Sequence, residues 1–118
     1  SFGKVMKIAM EAAAVLEKEG HSVEVIDMRT VRPLDYATVV KSIQKTNRLV
    51  ILEEAWPLAA ISSEITYHAQ RYAFDYLDAP VRRVNSMDLP LSYAPTLIEA
   101  TLPNVSRTVE ALKSVLYV

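Results

Sequence analysis

Apolar residues recur along this chain with two alternating spacings, one typical of helices and one typical of strands. Between Lys4 and Glu19 they fall every three or four positions, which is the spacing of a helix with one buried face. The stretch Ser22–Met28 is instead rich in β-branched residues and predicts a strand. The same two spacings predict further helices over 36–46, 59–77, 96–100 and from 105 onward, and further strands over 48–53 and 81–84.

Capping residues mark the starts of two of these helices. Asp35 precedes the second helix and Asn104 precedes the last one, and both residue types are good N-caps. Leu34 and Val39 flank Asp35 at the spacing of a hydrophobic staple. Gly20 follows the first helix, where a C-terminal cap belongs.

The order of the elements predicts the fold class. Strands and helices alternate without a repeat or a linker, and the consecutive apolar residues Leu49–Leu52 indicate a strand that is buried on both faces. We therefore expect residues 1–118 to form a single α/β domain, with helices on both sides of a mostly parallel, mixed sheet in three α/β/α layers. Ser1-Phe2-Gly3 is interpreted as the tail of a strand, so we expect a truncated first strand in a fragment of a longer chain.

Composition excludes several classes of function. A length of 118 residues suits one domain with its own core, and the net charge of -1 gives no electrostatic argument for binding nucleic acid or an anionic membrane. The absence of cysteine excludes disulfides, thiolate nucleophiles and cysteine metal sites. The two histidines are far apart, and the two glycines do not have the spacing of a phosphate-binding loop. We therefore predict no catalytic, cofactor-binding or metal-binding residue.

Two adjacent acids, Glu53 and Glu54, end the buried strand and precede Trp56-Pro57. Acids at such a position are common in the active sites of α/β enzymes. Neighbours on an extended segment, however, point to opposite faces and cannot act as an acid/base pair. We favour a structural or interface role, with Glu53 near the N-terminus of the next helix, whose dipole favours an anion. Trp56 is interpreted either as a core residue or as an interface anchor.

Aromatic residues around the end of the third helix lie on more than one of its faces. They cannot all point inward, and an exposed aromatic set predicts a partner surface. The residues are Tyr67, Tyr72, Phe74 and Tyr76.

Arginines near the predicted strand ends have a simpler interpretation. We expect ordinary ion pairs between Arg29, Arg32, Arg82 and Arg83 on one side and Asp27, Asp35 and Asp78 on the other.

Several phrases, in a fixed order, resemble the C-terminal domain of the transketolase-like β subunits, and among these the pyruvate dehydrogenase β subunits. The phrases are "EAAAVLEKEGHSVEVIDMRTVRPLD", "KTNRLVILEEAWP", "FDYLDAPVRRV", "DLPLSYA" and "LPNV". Trp56-Pro57 and the run with Asp88, Pro90, Tyr93 and Ala94 favour pyruvate dehydrogenase over the branched-chain subunits. Glu54 and Ala55 stand where glycines are common in the family, so a positive φ is not expected at either residue.

The resemblance implies a part of a larger enzyme. That enzyme is an α2β2 tetramer that decarboxylates pyruvate on thiamine diphosphate, with magnesium, and passes the acetyl group to lipoyl groups of the acyltransferase core. The cofactor lies between the α subunit and the N-terminal domain of β, so the resemblance implies that this domain binds none and is inactive alone. The implied partners are a second β subunit across a two-fold axis, the α subunit, and the peripheral subunit-binding domain of dihydrolipoyl acyltransferase. A bacterial cytoplasm and a mitochondrial matrix are both compatible.

The resemblance also points to partner-binding residues. Asp78 in "LDAP" is expected to pair with an arginine of the basic docking domain, and the terminal carboxylate of Val118 is expected to add to it. The alternative for Asp78 is a turn residue before Ala79-Pro80. Interface or structural roles are expected for Glu53, Glu54, Trp56, Pro57 and Tyr93.

Two other interpretations of the whole chain stay open. One is the matching domain of a branched-chain 2-oxo acid or acetoin dehydrogenase, or of a transketolase-like synthase. The other is an independent flavodoxin-like module that binds a small ligand at the strand ends.

Overall fold

The computed structural model describes residues 1–118 and shows helices packed against a small parallel sheet. Short 3-10 turns precede the first long helix at Gly3–Val5 and follow the third at Phe74–Tyr76. None of the helices combines the length and the apolarity that a membrane span needs. The elements are α1 Met6–Lys18, α2 Tyr36–Thr46, β1 Val50–Leu52, α3 Ile61–Ala73, β2 Arg82–Val84, α4 Pro95–Thr101 and α5 Val105–Leu116.

The two strands are parallel neighbours, with Val50 opposite Arg82 and Leu52 opposite Val84. Backbone hydrogen bonds continue past their ends. The Glu53 N–H donates to the Val84 carbonyl at 3.1 Å, and the Ser86 N–H donates to the Ala55 carbonyl at 3.0 Å. The carboxyl ends of both strands therefore lie side by side, and the residues that follow them share one edge of the sheet.

Successive residues of β1 face opposite layers of helices, as the side-chain alternation of a strand requires. Ile51 is buried with Val39 and Ile43 of α2 and with Ile65 of α3. Leu52 packs on the other face, in a cluster with Val5 and Val84 to which residues of α1 and α5 contribute. The predicted α/β class with helices on both sides of a parallel sheet is confirmed.

The segment Ser22–Met28 is not a strand, so that prediction was wrong. Its backbone forms hydrogen bonds with Ser1. The Ser1 ammonium donates to the Ile26 carbonyl at 3.1 Å, and the Ser1 carbonyl accepts the Met28 N–H at 2.9 Å. A cavity of about 170 Å³ is lined both by this segment and by β1, and no ladder joins them. β-branched residues favour an extended chain, but a strand also needs a hydrogen-bonded neighbour in register.

Both predicted N-caps are made. Asp35 accepts the Thr38 N–H at 3.0 Å and the Thr38 hydroxyl at 2.6 Å, and these bonds hold the pKa of the Asp35 carboxyl below its usual value. Asn104 Oδ1 accepts the Arg107 N–H at 2.9 Å at the start of α5. Helix α2 begins and ends at the predicted residues, and Asn47, with a left-handed backbone, follows its last residue.

Helix α3 is shorter than predicted at both ends. Ala59 has a left-handed backbone, with φ of 56°, which breaks helical geometry before Ile61. At the other end the chain tightens into the 3-10 turn after Ala73. Glu54 and Ala55 do not have a positive φ, as expected from the absence of glycine there.

Replacement of the α5 cap tests this local account. Asn104→Ala removes the acceptor of the Arg107 N–H, so we expect a loss of about 1 kcal/mol in the free energy of unfolding measured with urea. The matched control is Ser106→Ala, because Ser106 is exposed in the first turn of the same helix. An equal loss in the two variants would contradict the cap's contribution.

Candidate functional site at the carboxyl ends of the strands

The Glu53 carboxylate lies buried directly after β1, with only 1% of the residue exposed. Its Oε1 accepts the backbone N–H of Ser62 at 3.1 Å and the Asn85 side-chain amide at 2.9 Å. Ser62 is the second residue of α3, where a helix leaves N–H groups without intrahelical partners and its dipole favours an anion. Glu53 thus connects β1 with α3 and with the segment that follows β2.

None of the six ion pairs in the protein includes Glu53. A buried carboxylate is tolerated when hydrogen bonds replace its hydration, and here a helix amide and a side-chain amide do so. Glu54 has different surroundings, since its Oε2 lies 3.0 Å from Lys4 Nζ at the surface. The two neighbouring acids do not meet and do not form a paired acid/base site.

A network of neutral oxygens and arginines surrounds the buried carboxylate. Arg83 Nη1 donates to the Pro57 carbonyl at 2.9 Å and to Ser63 Oγ at 2.7 Å. Arg107 Nη2 donates to the Asn85 carbonyl at 2.8 Å. These contacts join the loop after β1, the N-terminus of α3, the segment after β2 and α5 at one edge.

The expected ion pairing of the arginines was wrong for three of the four residues. Arg29 pairs with Asp27 at 3.4 Å, but Arg32, Arg82 and Arg83 have no carboxylate partner. The position of an arginine near a strand end does not determine which carboxylates it can reach, because the sheet brings together segments that are distant in sequence. Arg107, which sequence reasoning overlooked, carries no local signal beyond its position in the first turn of α5.

The Trp56 side chain is partly exposed and makes one hydrogen bond. It is 55% exposed, and its Nε1 donates to the Leu89 carbonyl at 3.1 Å, which joins the loop after β1 to the loop before α4. Tyr93 in that second loop is fully exposed. The large exposed apolar residues of these two loops and of the first turn of α4 will be called the loop patch: Trp56, Leu58, Met87, Leu89, Leu91, Tyr93 and Leu97.

A second group of exposed large side chains lies on α3 and the turn after it. Its aromatics are 44% to 60% exposed, which confirms that they do not all point inward. His68 belongs to the same helix and stacks on Tyr36, with ring centroids 3.6 Å apart. We call this surface the helix patch: Tyr67, Tyr72, Phe74 and Tyr76.

Asp78 lies at the opposite ends of the strands from Glu53, in the turn before β2. Its N–H donates to the Asn47 carbonyl at 2.9 Å, and its carbonyl accepts the Tyr117 hydroxyl at 3.3 Å. The carboxylate is 60% exposed and lies 3.9 Å from Arg48 Nη1. Val118 follows Tyr117 and is 66% exposed, so Asp78 and the last residues of the chain belong to one surface.

Comparison with known proteins identifies the family of this chain. Residues 1–107 match the family described as "Transketolase, C-terminal domain". The chain belongs to this family. As a transketolase C-terminal domain, it has the α/β class that the helices and the parallel strands show.

Similar proteins are subunits that are much longer than this chain. "Pyruvate dehydrogenase E1 component subunit beta" of Rhizobium meliloti is 47% identical over 117 residues, 99% of this chain and 25% of that protein. The protein of that name from Rickettsia felis is 44% identical over 117 residues, 99% of this chain and 36% of that protein. The mitochondrial one of Dictyostelium discoideum is 45% identical over 114 residues, 97% of this chain and 32% of that protein. The chain therefore spans about a quarter to a third of their length.

Substitution of Glu53 tests whether its carboxylate stabilises the fold. Glu53→Ala leaves the Ser62 N–H and the Asn85 amide without their acceptor, so we expect a loss of about 1–3 kcal/mol in the free energy of unfolding. Glu53→Gln retains an acceptor oxygen and should lose less. Chemical denaturation of both variants is the measurement.

Glu54→Ala is the matched control for this test. Its contact with Lys4 is an exposed ion pair, and removing such a pair changes stability by at most about 1 kcal/mol. If Glu53→Ala were no more destabilising than Glu54→Ala, the carboxylate would not anchor α3.

Proposed function

We propose that this domain is the assembly domain of a pyruvate dehydrogenase β subunit. In that role it supports decarboxylation of pyruvate and transfer of the acetyl group to lipoyl groups without contributing catalytic residues. It associates with a second β subunit and docks the dihydrolipoyl acyltransferase core. The observation that carries the proposal is the loop patch, a set of large apolar side chains on neighbouring loops that a folded monomer leaves exposed.

The similarity to pyruvate dehydrogenase β subunits supports this role, because it extends over nearly the whole chain. The activity, substrate and partners belong to proteins three to four times as long, and for this chain they are part of the proposal. The same holds for location, where bacterial and mitochondrial proteins are both among the relatives. An α subunit is the third partner proposed.

The loop patch has the chemistry of an association surface. Interface cores are enriched in tryptophan, tyrosine and methionine, and this patch combines all three with leucine. Trp56 is held by its bond to the Leu89 carbonyl, so its ring loses little conformational freedom when a partner covers it. The helix patch offers a second aromatic surface for the same purpose.

Asp78 and Val118 are proposed as the place where the acyltransferase docks. The backbone of Asp78 is held by Asn47 and Tyr117, which fixes the point of the chain from which its carboxylate projects. Arg48 lies at the outer limit of an ion pair with it, so the carboxylate retains capacity for a second guanidinium. An arginine of a basic docking domain would make a charge-assisted bond there.

Thiamine diphosphate with magnesium is proposed for the complete enzyme and not for these residues. A magnesium diphosphate requires oxygen ligands gathered around the ion. No three His, Asp or Glu side chains of this chain come together in such a group, and Glu53 is already bonded to Ser62 and Asn85. We assign no residue of this domain to the cofactor and no chemical step to the domain.

Calorimetric titration of the full chain with a peripheral subunit-binding domain tests the docking proposal. We expect saturable binding that Asp78→Asn weakens by about tenfold or more, since one charge-assisted hydrogen bond is lost. Asp75→Asn is the matched control, because Asp75 is an exposed acid in the preceding turn. Light scattering of the same sample reports association of the β chains.

The outcomes separate the two halves of the proposal. Equal binding by the Asp78 and Asp75 variants would contradict docking at Asp78. A monomeric chain whose mass does not change with concentration, and that fails to bind the α subunit, would contradict the assembly role of the loop patch.

A further inference from the structure

A polar groove of about 430 Å³ opens beside the carboxyl end of β2. Arg82 and Arg83 of β2 line it together with Asn85 and Ser86, which follow the strand, and Arg107 of α5. A groove of this volume is in the range of small-molecule sites. In parallel α/β sheets, ligands bind outside the carboxyl ends of the strands, and this groove has that position.

The charges of the groove are not balanced by the protein. Three arginines line it, and Asp88 is the one acid among its lining residues, which leaves two net positive charges in a chain of net charge -1. None of the three guanidinium groups lies within 4.0 Å of a carboxylate. Elsewhere in the protein six basic side chains form ion pairs, and the groove brings together three of those that do not.

Neutral oxygens hold two of these arginines in place. Arg83 donates from Nη1 to the Pro57 carbonyl and to Ser63 Oγ, and its Nε and Nη2 make no hydrogen bond within the protein. Arg107 donates to the carbonyls of Leu102 and Asn85. Such contacts orient a guanidinium without cancelling its charge, and the remaining N–H groups are available to an acceptor.

We propose that this groove binds the phosphate group of a small phosphorylated molecule, with Arg83 as the principal contact and with Arg82 and Arg107 as supporting charges. A phosphate carries about two negative charges at neutral pH, which matches the net charge of the lining residues. Its oxygens accept paired hydrogen bonds from guanidinium groups, and this geometry favours arginine over lysine. Met87, at the rim of the groove, is the one residue that it shares with the loop patch, and the test below rests on the proposed function because it uses the assembled enzyme.

Calorimetric titration with pyrophosphate and with inorganic phosphate tests the site in the assembled enzyme. Saturating thiamine diphosphate and magnesium are present, so that a diphosphate site elsewhere in the enzyme is already filled. We expect saturable binding of pyrophosphate that Arg83→Gln weakens by about tenfold or more and that Arg82→Gln weakens by roughly threefold or more. Asp88→Asn removes the opposing charge and should strengthen binding.

The matched control is Arg32→Gln, because Arg32 is exposed, has no ion pair and lies outside the groove. The affinity of Arg32→Gln for pyrophosphate should stay within about twofold of that of the parent protein, because a distant charge is screened by the solvent. Arg82 makes no side-chain hydrogen bond, so Arg82→Gln keeps the test valid if Arg83→Gln proves unstable. Absence of saturable binding would overturn the proposal, and so would equal weakening by Arg32→Gln and Arg82→Gln.

Discussion

The rest of the structure depends on one buried carboxylate bonded to the start of a helix. Glu53 ends β1 and accepts the Ser62 N–H of α3 and the Asn85 amide beyond β2. Without this acceptor, two segments that are distant in sequence would each lose the partner of a buried donor. The bond therefore fixes how the carboxyl edge of the sheet closes, and every surface at that edge is arranged around it.

Buried and exposed side chains at this edge of the sheet have different partners. Glu53 is occupied by structural hydrogen bonds, while Arg82 and Arg83 remain without carboxylate partners on the outside. Trp56, three residues after Glu53, is carried to the surface and joined to the loop before α4. A residue pattern that looks catalytic in sequence thus forms structural hydrogen bonds, and the groove and the loop patch are the surfaces for which we propose binding.

Local signals in the sequence predicted the helices better than they predicted contacts between distant segments. Asp35 and Asn104 cap their helices as expected, because a cap involves only residues three positions apart. The segment Ser22–Met28 did not become a strand, because a ladder depends on a neighbour that local propensity cannot supply. The unpaired state of Arg82 and Arg83 was missed for the same reason, since it depends on which acids the fold places nearby.

Hydrogen exchange of the Ser62 amide tests the central claim most directly. This amide is at the second position of α3, where a helix provides no acceptor of its own, so its protection depends on Glu53. We expect slow exchange, comparable with that of core amides, in the parent protein and fast exchange in Glu53→Ala. Fast exchange in the parent protein, or unchanged protection in Glu53→Ala, would contradict the anchoring role of this carboxylate.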